Sequence, residues 1–77
     1  MELSKLTSLV EKHIQRALTS AEPLDFSERQ LRSGLAYGAL GIWNDLAAVE
    51  LSDSELVAKR EHLEAKLKEL FWALPQA

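Results

Sequence analysis

The chain contains no cysteine, which excludes disulfide cross-links and thiolate metal sites, two of the devices by which very small domains hold a fold. Histidine is scarce as well. His13 and His62 lie far apart and lack the i, i+4 spacing that sets two imidazoles on one helical face, so neither a structural metal nor a cofactor is expected. Proline occurs only at Pro23 and Pro75, leaving long stretches free of the strongest helix breaker. Neither sign of charge dominates: nine basic against twelve acidic residues give a formal charge of −3, without the basic surplus of a nucleic-acid binder. The longest uncharged run, Ser33 to Asn44, is too short to span a bilayer. The N-terminal MELSKLTSLVEKHI carries Glu2, Lys5, Glu11 and Lys12 and so lacks the apolar core of a secretory signal. A cytoplasmic protein without membrane contact is the expectation.

Catalytic motifs are missing too. No serine stands in a recognisable nucleophile motif with a histidine, no glycine-rich loop follows a strand to cradle phosphate, and the acids lack the spacing of a calcium loop. An enzyme is not expected.

What is present is helical periodicity over a single domain, residues 1–77, with no repeat or composition shift. Three helices are predicted, at about 3–18, 26–50 and 53–74. The first repeats Leu3, Leu6, Val10, Ile14, Ala17 and Leu18 as one stripe, with Leu9 and His13 on its shoulder. The second opens with Asp25 as N-cap and Glu28 three residues on. The third opens more sharply: Ser52 with Glu55 forms a capping box, and Leu51 with Leu56 a hydrophobic staple. The short turn between the second and third predicts an antiparallel helical hairpin. The fold class is thus all-α, a three-helix unit. At 77 residues it sits near the size where one core is barely sufficient, so assembly into a dimeric helical bundle is expected.

The middle helix is the unusual one. It holds every glycine of the chain, Gly34, Gly38 and Gly41, each costing about 1 kcal/mol against alanine in a helix interior. At about 100° per residue they share one narrow face, either a groove for close packing or a point where the helix breaks near Gly38. The same helix is apolar nearly all round: Leu31, Leu35, Ile42, Leu46 and Val49 form one stripe, with Ala36, Leu40, Trp43 and Ala47 on the far side. A helix apolar on every side must be surrounded, and two companions cannot cover it.

In the third helix Leu56, Leu63, Leu67, Leu70 and Leu74 follow a 3-4 spacing interrupted by Arg60, while Ala58, Ala65 and Trp72 recur every seven residues on the opposite side. The expected interface therefore comprises Gly34, Gly38, Gly41, Leu40, Trp43 and Ala47 of the second helix with Ala58, Ala65, Phe71 and Trp72 of the third. Aromatic residues serve there as anchors. Arg16, Arg29 and Arg32 are candidate contacts for an anionic partner.

Size and pattern resemble those of many small helical adaptors, inhibitors and chaperones of bacterial or phage type, a likeness of shape that singles out none of them. The expected partners are a second copy of the chain and another protein. The function expected first is a non-enzymatic adaptor or regulator binding through an apolar helical surface. The alternatives are a small DNA-binding regulator of transcription type or a structural subunit of a larger assembly. If the glycines form a packed groove, Gly38→Leu weakens association or folding by several kcal/mol in denaturation and sedimentation measurements.

Overall fold

The computed structural model describes residues 2–77, and its regular structure is three helices: α1 (Leu3–Ala17), α2 (Phe26–Ala47) and α3 (Asp53–Ala73). The predicted caps form. Asp25 Oδ1 accepts from the Glu28 backbone N–H at 2.8 Å, satisfying one of the orphan donors at the start of α2. Ser52 Oγ accepts from the Glu55 N–H at 3.4 Å and donates to Glu55 Oε1 at 2.7 Å. Leu51 and Leu56 both pack against the core on either side of that cap, as a staple requires.

α2 ends at Ala47, short of the predicted Glu50. The chain tightens there into a turn in which the N–H groups of Glu50 and Leu51 both donate to the Ala47 carbonyl, at 3.0 and 2.9 Å. No break occurs at the glycines: α2 runs unbroken through all three, and no described residue has a positive φ.

The core is drawn from every segment. Val10 and Ile14 come from α1, with Leu18 just beyond it; Ala36, Leu40, Trp43 and Ala47 come from α2; Leu63 and Leu67 come from α3, with Leu74 after it. No polar or charged residue among those described is buried. The predicted stripe of α1 and the leucine seam of α3 both face inward, Leu3, Leu6, Ala17, Leu56 and Leu70 packing around the buried set. At the one polar position of that seam, Arg60 Nη1 donates to Asn44 Oδ1 of α2 at 3.0 Å. A guanidinium at the rim of an apolar seam thus finds an acceptor on the neighbouring helix.

Trp43, fully buried, stands at the centre. Its Nε1–H donates to Thr7 Oγ1 at 2.8 Å, and the same hydroxyl donates to the Leu3 carbonyl at 2.9 Å, so donor and acceptor are both used. At the far end of the molecule the side chains of Leu24 and Leu74 are buried in the core and the backbone closes over them: Leu24 N–H donates to the Pro75 carbonyl at 2.9 Å and Ala77 N–H to the Leu24 carbonyl at 3.0 Å. This backbone clasp ties the α1–α2 connection to the tail behind α3 and carries no side-chain signature that a sequence could reveal.

Two substitutions test this interior by urea unfolding followed by circular dichroism. Leu67→Ala should cost about 2–5 kcal/mol, the range for emptying a buried leucine site. Thr7→Val keeps the shape but orphans the indole N–H, and should cost about 1–3 kcal/mol; a neutral result would mean the bond is not made.

Candidate protein-contact face

The two apolar faces of α2 are distributed opposite to expectation. Leu40, Trp43 and Ala47, expected at an interface, are buried inside the single chain together with Ala36 and have no surface to offer a partner. The stripe Leu31, Leu35, Ile42, Leu46 and Val49 is the one left outside, each residue more than half exposed, Ile42 at 62% and Val49 at 84%. Steric and polar demands both favour this choice. Ala36 and Ala47 let two helices close in beside Trp43, whereas a face of five branched side chains would hold them apart. Burying Trp43 also requires an acceptor for its N–H, and Thr7 of α1 lies on the inward side to supply one.

The open stripe is continuous with α1. Leu9 is half exposed beside it, and two shallow depressions run along the α1–α2 boundary. One is lined by Leu3, Leu6, Leu46, Val49 and Glu50, the other by Leu9, Val10, His13, Leu35, Ala39 and Ile42. Charge touches this surface only at its edges, because Ser33 to Asn44 contains none. Contiguous apolar surface of this kind is uncommon on the outside of a small chain.

The glycines contribute no packing within the chain. A Cβ placed on Gly34, Gly38 or Gly41 would meet nothing within 4 Å. The overpacking expected for Gly38→Leu therefore has no source inside one molecule; only a second molecule could supply it.

The remaining predicted positions scatter. Ala58 and Ala65 are exposed on α3, and Trp72 is 72% exposed on the same helix. Phe71 is half-buried against the core, its ring centroid 5.5 Å from that of Trp72 in an edge-on arrangement. Nor do the three arginines form a basic patch. The Arg29 guanidinium lies 5.0 Å from the Phe71 ring centroid, its Nε and Nη2 buried without a hydrogen-bond partner. Arg32 is engaged within the chain, Nε to Glu28 Oε1 at 3.3 Å and Nη1 to the Thr19 carbonyl at 3.0 Å. Arg16 is exposed beside Lys12 and Gln15 of its own helix. Among the described residues no three His, Asp or Glu side chains converge as a metal site, and no helix is long and apolar enough to cross a membrane.

No protein family, curated protein or solved structure matches the chain.

The open glycine positions make a direct prediction for the isolated molecule. Gly34→Ala, Gly38→Ala and Gly41→Ala each remove backbone freedom from the unfolded chain at a site with room for a methyl group. Each should raise unfolding free energy by about 0.5–1 kcal/mol at submicromolar concentration. Destabilisation there would mean that something already packs on the glycines.

Proposed function

We propose that this chain is a small non-enzymatic adaptor or regulator that binds and modulates another protein through the apolar face where α2 meets α1. The observation that carries the reading is the aliphatic row Leu31, Leu35, Ile42 and Leu46 lying open on an intact helix, extended by Val49 in the turn after it, continuous with Leu9 and interrupted by no charge over its central turns. Such a row offers a ridge of i, i+3/i+4 anchors bordered by a groove, the arrangement by which one amphipathic helix receives another.

The scaffold suits that use. The reading takes α2 and α3 as a long antiparallel hairpin, supported by Arg60 reaching Asn44 near the turn and Arg29 covering Phe71 near the other end. With α1 packed alongside, the hairpin holds the contact face on regular helices instead of loops, which keeps anchors in fixed register. Salt should have little influence on such a contact, in contrast to phosphate recognition. Nothing in the arginine arrangement favours DNA, since Arg29 and Arg32 are engaged with Phe71, Glu28 and Thr19.

The test is the double variant Ile42→Asp, Leu46→Asp. Both sites are exposed in the single chain, so at submicromolar concentration its unfolding free energy should stay within about 1 kcal/mol of the parent. Affinity capture from cells of the source, read by mass spectrometry, should lose the proteins retained by the parent chain. Retention of the same proteins by the folded double variant would refute the assignment of this face.

A further inference from the structure

The open stripe of α2 is self-complementary. Leu31 and Leu46 lie equally far along the chain from a point between Gly38 and Ala39, and so do Leu35 and Ile42. Two α2 helices laid antiparallel about that point bring Leu31 of each copy level with Leu46 of the other, and Leu35 level with Ile42. Val49 falls beyond the mirrored set, level with Glu28 of the other copy.

At the crossing stand Gly38 and Ala39, where the backbones come nearest and bulk is least tolerated. The open space around Gly38 then acquires a use: its missing side chain admits a second helix that nothing in the single chain fills. Because Ser33 to Asn44 carries no charge, the antiparallel arrangement sets no like charges against each other over about three turns.

Area points the same way. At roughly 150–200 Å² for a fully exposed aliphatic residue, Leu9, Leu31, Leu35, Ile42 and Leu46 leave roughly 400–550 Å² open per copy, half to two-thirds of the ~800 Å² each partner brings to a stable complex.

We infer that the α1–α2 face is covered by a second copy of the chain, in a two-fold antiparallel α2–α2 pairing centred between Gly38 and Ala39. This pairing rests on the reading of that face as a protein contact and specifies its occupant. A foreign partner docking there must displace the second copy.

Sedimentation equilibrium and cysteine cross-linking test it together, and the natural absence of cysteine makes single-cysteine variants unambiguous. The parent chain at micromolar concentration should sediment at about twice its 8.6 kDa mass, and Ile42→Asp should weaken the association at least ~100-fold. Under mild oxidation mixed Leu35→Cys and Ile42→Cys chains should form a covalent dimer. Leu31→Cys alone should not, because in this register its mate lies about 22 Å away along the helix axis, whereas a mixture of Leu31→Cys and Leu46→Cys should cross-link.

A compact monomer for the parent chain throughout the micromolar range would overturn the pairing. The capture experiment with Ile42→Asp, Leu46→Asp would still decide the broader reading on its own. A dimer that ignores Ile42→Asp would overturn the face, and one that cross-links through Leu31→Cys alone but not through mixed Leu31→Cys and Leu46→Cys would overturn the register.

Discussion

The indole of Trp43 decides how this molecule is put together. α2 has two apolar faces, and only one can turn toward α1 and α3. The face carrying Trp43 turns inward, bringing the largest side chain of the core to the centre and its N–H to the Thr7 hydroxyl. Burial of that N–H without an acceptor would forfeit a large part of what the ring contributes, so the bond and the packing hold together or fail together. Ala36 and Ala47 complete the arrangement by leaving room for two helices beside the ring. Everything on the opposite side of α2 is set by this choice through the geometry of a helix.

The outward side is then an aliphatic surface that a solitary molecule exposes at a cost in solubility. A chain of this size gains little by leaving four large aliphatic residues of one helix, and Val49 just beyond it, in water while its glycines weaken helix stability in the same region. The two features have one explanation if the face is built to be covered. Smooth backbone at Gly38 and flanking branched residues are what a close helix–helix contact uses, and neither serves the isolated fold. The exposed face thus stems from the same packing decision that fixes the core, and the proposed contact uses what that decision leaves outside.

Much of the fold was legible in the sequence because α1 is one-sided and α3 carries a single leucine seam. Val10, Ile14 and Leu18 fall on a stripe whose opposite face carries charge, and Leu63, Leu67 and Leu74 on a leucine seam whose far side holds Ala58, Ala65 and Trp72 among charged residues, so periodicity points both sets inward. The Asp25 and Ser52 caps were equally readable, being local in sequence. α2 defeats the same method. With leucine, isoleucine and valine on one side and alanine, leucine and tryptophan on the other, its periodicity says that both faces want cover and not which face the chain itself covers. The deciding contact joins Thr7 to Trp43, too distant in sequence for any local pattern to register. A hydroxyl on the inward side of α1 and two alanines flanking the tryptophan were the available signals. The Leu24–Pro75–Ala77 clasp left none, since it is made of backbone atoms.

The chain offers its own reporters for the central claim, because Trp43 is sealed while Trp72 is exposed. Replacing Trp72 by Phe removes the exposed ring and leaves Trp43 as the only tryptophan. Acrylamide quenching of that variant at nanomolar concentration, which disfavours any association, reads the inward face of α2 directly. Blue-shifted emission with weak quenching is the result expected of a Trp43 held against Thr7; red-shifted, freely quenched emission from a chain still helical would mean that α2 packs the other way round.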